Sequence, residues 1–197
     1  MNLGIFGGTF DPIHTGHLIV AEAVREHEFL DRVLFVPSSV SPHKQGIPVA
    51  ASGARLAMVR AAVATNPAFE ASDLEIEKGG VSFTIDTLRI LATRYPGDRL
   101  HLMIGADNME EFATWKDPEE ILRKAVLVAM RRPGFTGTIP GGKLFSSVKF
   151  CEVPEIGISS TEIRRRISAG GSIRYLVPES VESYIQEKKL YRRAESR

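Results

Sequence analysis

Short apolar runs alternate along the chain with stretches whose apolar residues recur every three or four positions. Leu3-Gly4-Ile5-Phe6, Val33-Leu34-Phe35-Val36, Leu100 to Ile104, Ala125 to Met130 and the shorter Val148 to Val153 each read as a buried strand. Asp73-Leu74-Glu75-Ile76-Glu77 alternates polar and apolar positions, the period of an edge or half-buried strand. Between the strands the spacing predicts helices over 16–28 (Leu18, Ala21 and Val24 on one face), over 52–65 and over 84–95, the last stopped by Pro96-Gly97. Two more helices are expected near 159–169 and 178–188.

Alternating strands and helices build βαβ units with right-handed crossovers, and so a parallel sheet covered on both faces. The expected fold is α/β, a Rossmann-like doubly wound parallel sheet over about 1–155. A small C-terminal helical part over about 156–190 completes a single domain of 197 residues. Ligands bind such sheets beyond the carboxyl ends of the strands, where the strand order reverses. The informative loops are therefore 7–16, 37–51, 105–117 and 131–145. The last contains the Gly- and Pro-rich "RRPGFTGTIPGGK" and reads as a surface loop.

Composition narrows the partners. Hydrophobic residues at 43% and charged residues at 25% fit an ordinary globular chain. A net charge of +1 argues against a general nucleic-acid binder. The single cysteine, Cys151, excludes an internal disulfide and suits the cytoplasm. The N-terminus is a strand pattern, not a signal peptide, and no apolar stretch reaches the roughly 20 residues of a membrane span. Small molecules remain as partners, with a homo-oligomer left open.

The first loop reads "GGTFDPIHTGH". Gly7-Gly8 directly after a buried strand lets the backbone turn and approach a ligand closely. Thr9 adds a hydroxyl, and the following helix aims its free N–H groups into the same crevice, which favours an anion. His14 and His17 flank Gly16 at that helix start and can donate to phosphate oxygens, with charge assistance when protonated. The loop is neither a Walker A nor a G-x-G-x-x-G fingerprint. A zinc site of Asp11, His14 and His17 has the wrong spacing and no nearby Cys or His partner. A turn with incidental histidines must explain two glycines, two histidines and a strand end together.

"GISSTEIRRR" lies near the other end. Ser159 and Glu162 match a capping box, so a helix should begin there. Arg164, Arg165 and Arg166 then fall in its first two turns, where cations oppose the dipole. A bound phosphate would reverse that balance, although three successive arginines cannot all face one ligand.

His14-Thr15-Gly16-His17 and Ile158 to Arg164 together resemble the H-x-G-H and I-S-S-T-x-x-R signatures of the nucleotidyltransferases of NAD and coenzyme A biosynthesis. Class I aminoacyl-tRNA synthetases carry a motif related to the first. The resemblance implies a nucleotidyltransferase fold with His14, His17 and Arg164 as catalytic residues. It implies that ATP is held by Gly7, Gly8, Thr9, Phe10, His17, Gly105, Asp107, Ile158, Ser159, Ser160, Thr161 and Arg164.

The middle of the chain bears on the acceptor. "PSSVSPHK" puts Lys44 in the loop after the second strand, a fair phosphate partner. "SFTIDTL" puts Thr84 at a helix start, either a small site for a carboxylate or an ordinary N-cap. In "GADNMEEFATWKDP", Asp107 can accept from ribose hydroxyls, and Trp115 can stack on a ring or pack in the core. From residue 3 to about 186 the chain is similar to the bacterial nicotinate mononucleotide adenylyltransferases. That resemblance implies acceptor contacts from Lys44, Ser82, Phe83, Thr84, Asp107, Trp115 and Arg131. The chain departs from the family at Ser41, where a proline is frequent, and at Lys116, where some members have an aromatic residue. The implied reaction joins ATP and nicotinate mononucleotide into deamido-NAD and pyrophosphate, with Mg²⁺ carried by the ATP phosphates and no protein metal ligands. Other acceptors (nicotinamide mononucleotide or phosphopantetheine) and a non-catalytic nucleotide-binding protein are the alternatives. A Rossmann oxidoreductase is disfavoured by the missing fingerprint.

Overall fold

A computed structural model describes residues 1–40, 49–131 and 145–192. The chain runs β1 (Asn2–Gly8), α1 (Thr15–His27), β2 (Arg32–Pro37), α2 (Ser52–Val63), β3 (Phe69–Ala71), α3 (Leu74–Lys78), α4 (Thr84–Arg94) and β4 (Arg99–Gly105). Two 3-10 turns, Ala106–Met109 and Phe112–Thr114, lead to α5 (Pro118–Lys124). The order closes with β5 (Ala125–Arg131), β6 (Lys149–Glu152), α6 (Ser160–Ser168) and α7 (Glu179–Glu187).

All six strands pair in parallel, in the order β3-β2-β1-β4-β5-β6. The chain winds outward from β1 to β3, returns to β4 beside β1, and winds out the other way. The reversal lies between β1 and β4, so their carboxyl ends open a crevice. Successive strand residues face opposite layers. Phe6, Phe35, Met103 and Val128 pack with α1, α2, α6 and α7. Ile5, Leu34, Leu102 and Leu127 pack with α3, α4 and α5 on the other face. The doubly wound sheet with helices on both faces is therefore present. Among the described residues no helix is long and apolar enough to cross a membrane.

One predicted strand is a helix. Residues 74–78 form α3, and the edge strand is the earlier, three-residue β3. Period-two alternation would bury Leu74 and turn Glu75 to the opposite face. The structure buries both, because Glu75 is drawn under α4, where its carboxylate accepts the Thr87 hydroxyl. The expected loop 105–117 contains the two 3-10 turns, and α5 follows it. Asp117-Pro118-Glu119-Glu120 holds the signal for α5, a proline at the first helical position with acids in the first turn. Lys44 and Ser41, and most of the 131–145 loop, lie outside the described residues.

Candidate active site

The crevice beyond β1 and β4 divides into two cavities that share Phe6, Thr9, Gly105 and Asn108 as walls. The larger, of about 840 Å³, is bounded by the β1–α1 loop and the start of α6. The smaller, of about 530 Å³, lies against the start of α4 and the Trp115 turn.

The first loop is shaped by close approaches. A Cβ on Gly8 would stand 3.0 Å from the Phe10 ring, so glycine lets that ring fold back over the strand end. Phe10, at φ 49, sits edge-on to Phe6 and to His17, with centroids 5.7 and 5.1 Å away. His14 caps α1 from an extended backbone, and its N–H donates to Nδ1 of His17 at 3.2 Å. A Cβ on Gly16 would lie 3.1 Å from both His14 Nδ1 and Ile156, so glycine is what admits the packed histidine pair. Because His17 Nδ1 accepts, the neutral ring carries its proton on Nε2. Burial pushes His14 down to about 4, so it is neutral at pH 7. Its buried Nδ1 has no hydrogen-bond partner among the described residues.

The second motif closes onto this loop. Ser159 Oγ accepts the Glu162 N–H at 3.2 Å and caps α6. Only half of the expected capping box forms, because the Glu162 carboxylate takes Arg165 and Arg166 instead. Those guanidinium groups hold Glu162 at about 2. Arg164 turns the other way. Its Nη1 donates to the Asp11 carbonyl at 2.7 Å and lies 3.7 Å from Asp11 Oδ2. Ser160 Oγ donates to the Pro12 carbonyl at 2.9 Å. The larger cavity thus gathers Thr9, Phe10, His14, His17, Gly105, Asp107, Ile158, Ser159, Ser160, Thr161 and Arg164, with an apolar side of Met130, Val153, Pro154 and Ile156. A Cβ at Gly105 would collide with the Asp107 carboxylate folded over it.

Gly7 and Gly8 line the smaller cavity, not the larger one. Ser82, Phe83, Thr84 and Trp115 join them there. Thr84 is the first residue of α4, and its cap, Phe83, makes no side-chain capping bond. The N–H groups of Thr84 and Ile85 precede the first helical bonds, which Asp86 and Thr87 donate to the Phe83 carbonyl. Trp115 packs on Phe112 at 5.3 Å, and its buried Nε1 has no partner among the described residues. The Lys116 ammonium stands 4.8 Å over the Phe83 ring. Arg131 lines neither cavity; it pairs with Glu152 and lies over Phe150.

Three contributors escaped the sequence reading. Asp11 is a buried carboxylate between the two motifs. Arg55 is 1% exposed and donates to the carbonyls of Ala50, Thr9 and Ser39, tying together the loops after β1 and β2. Its only sequence signal is a place on the buried face of α2, one turn before Val59. Glu75 lines the smaller cavity, and burial pushes its carboxyl above the usual range. Among the described residues no group of three or more His, Cys, Asp or Glu could hold a metal ion.

Residues 5–166 match the cytidylyltransferase-like family. Proteins named "probable nicotinate-nucleotide adenylyltransferase" align along almost the whole chain. That of Thermus thermophilus is 47% identical over 195 residues, covering 98% of this chain and 100% of its own. That of Salinibacter ruber is 42% identical over 192 residues, covering 98% of each chain. Among solved structures, Plasmodium falciparum nicotinic acid mononucleotide adenylyltransferase complexed with NaAD shares the fold. Its TM-score is 0.76 at 18% identity, over 96% of this chain and 97% of that one. Near-complete alignment at this identity, around two motifs that meet in one crevice, shows that the chain belongs to the nicotinate-nucleotide adenylyltransferase family.

Proposed function

We propose that this chain transfers the adenylyl group of ATP to nicotinate mononucleotide, forming nicotinate adenine dinucleotide and pyrophosphate. One observation carries the reading: two cavities of nucleotide size meet at Thr9 and Gly105, with both signature motifs around the larger. ATP occupies the larger cavity. Its base lies toward Met130, Val153 and Ile156, and its triphosphate lies among His14, His17, Arg164 and the start of α6. The mononucleotide occupies the smaller cavity. Its ring lies by Trp115, its carboxylate by the first N–H groups of α4, and its phosphate points at the junction. The Lys116 ammonium stands at the rim, paired with the Asp86 carboxylate at 3.3 Å.

An oxygen of the mononucleotide phosphate attacks the α-phosphorus, and the bond to the bridging oxygen of the β-phosphate breaks. That nucleophile is already anionic, so no general base is required. Alignment and charge stabilisation carry the rate. His17 donates from Nε2 toward the phosphates. His14, neutral in the free protein, offers one donor and no fixed charge. A magnesium ion carried by the ATP phosphates would shield their charge, with no ligand set of three or more His, Cys, Asp or Glu among the described residues to hold it. The chain works as one catalytic domain, in the cytoplasm.

The test supplies ATP with nicotinate mononucleotide, nicotinamide mononucleotide or phosphopantetheine and follows pyrophosphate. The acid mononucleotide should give the highest kcat/KM. Preference for phosphopantetheine, or no pyrophosphate with any acceptor, would overturn the proposal.

A further inference from the structure

Tyr191 stands beyond α7, far in sequence from both motifs, yet its hydroxyl reaches the first loop. It donates to Asp11 Oδ1 at 2.7 Å. The Ala50 N–H donates to the same oxygen at 3.1 Å. Asp11 is 3% exposed. With Oδ1 doubly engaged, the carboxylate is turned so that Oδ2 lies 3.7 Å from Arg164 Nη1. Oδ2 has no hydrogen-bond partner among the described residues. The same Nη1 donates to the Asp11 carbonyl at 2.7 Å, and Nη2 lies 3.4 Å from Thr161 Oγ1. Arg55 is also near, but the hydrogen bonds it donates go to the carbonyls of Ala50, Thr9 and Ser39. Arg164 is thus held at its back by Asp11, with its side chain still one-third exposed toward the cavity.

We infer that Tyr191 is a positioning residue for Arg164, acting through Asp11 to set the guanidinium that meets the triphosphate. This rests on the proposed ATP site. Burial, and the neighbouring Asp11 carboxylate, push the Tyr191 phenol up, so it stays a donor throughout the working range. Neighbouring contacts dock the same C-terminal part. The Leu176 carbonyl accepts from the Thr15 N–H at 2.9 Å, and the Tyr175 carbonyl accepts from Thr15 Oγ1 at 3.2 Å. These brace the start of α1. Tyr191 alone among these three addresses Asp11.

Initial rates of pyrophosphate release test the assignment in the full chain, for Tyr191→Phe, Arg164→Ala and the double variant. The phenylalanine keeps the ring and removes one hydrogen bond. KM for ATP should then rise about three- to tenfold, while KM for nicotinate mononucleotide stays unchanged. In the Arg164→Ala background the same change should add nothing to KM for ATP, because the two residues act in series. A purely structural tyrosine would lower the melting temperature and leave both KM values alone. That outcome, or effects that multiply independently in the double variant, would overturn the inference. If Arg164→Ala itself leaves KM for ATP unchanged, the ATP-site reading fails, and the inference with it. Should Tyr191→Phe not fold, Asp11→Ala carries the same cycle, since it removes the acceptor of the Tyr191 hydroxyl together with the carboxylate beside Arg164.

Discussion

The rings of His14 and His17 stack with centroids 3.7 Å apart and planes 28° from parallel, while the backbone N–H of His14 donates to Nδ1 of His17. The pair is self-orienting: the cap residue of α1 fixes the tautomer of the residue one turn later. His17 therefore presents its donor without needing to be protonated. His17→Ala should lower kcat about 10²- to 10³-fold, the usual loss for one transition-state donor. Its melting temperature should change little. Steady-state rates at saturating ATP and acceptor check this, and near-normal turnover would remove His17 from the catalytic set.

Burial of His14 ties stability to pH. Its folded value of about 4 lies below the ordinary 6.5, so the unfolded chain binds more protons between them. The stabilisation is fully present above 6.5 and is lost as pH falls toward 4. It amounts to at most about 3 kcal/mol. His101 is also buried and shifted down, mainly by desolvation, and so acts in the same direction. The urea midpoint should fall on acidification through this window. His14→Gln should flatten part of the slope, and an unchanged slope in that variant would assign the whole effect elsewhere.

Glu75 links the walls of the smaller cavity. It accepts from the Thr87 hydroxyl in α4, and Ser82, which also hydrogen-bonds to Glu75, accepts the Ser39 N–H at 2.9 Å. Glu75→Ala should raise KM for nicotinate mononucleotide about tenfold, with KM for ATP little changed, because about two hydrogen bonds that place the start of α4 are lost. Glu75→Gln, which can still accept from Thr87, should recover most of the difference. An equal rise in both KM values would show general loosening instead.

Arg55 serves the fold and the first loop at once. Removing it as Arg55→Met strands three carbonyl groups in the interior. The cost should be about 3 kcal/mol or more, read as a drop in the denaturant midpoint at unchanged m-value. A stable variant with wild-type kinetics would show that the loops after β1 and β2 are held by other contacts.

Local pattern was enough for the strands of the sheet centre. β1, β2, β4 and β5 are buried on both faces and read as continuous apolar runs whatever their neighbours. It failed at residues 73–77, where period two concealed a short helix, because the buried Glu75 takes its place from Thr87 and Ser82 and not from its own segment. At the second motif the three arginines look alike in sequence. Glu162 takes Arg165 and Arg166 on the exposed side, and Asp11 takes Arg164 on the other, so only folding distinguishes them.

By itself, then, the sequence determined the alternation of elements, the parallel doubly wound sheet and the two signature motifs, since each depends on spacing within a few residues. Which cavity Gly7 and Gly8 face, that Arg131 faces neither, and that Tyr191 reaches Asp11 were decided only in three dimensions. These depend on contacts between segments far apart along the chain. Such a contact needs only a donor and an acceptor at the right place, and leaves no period in either segment to mark it.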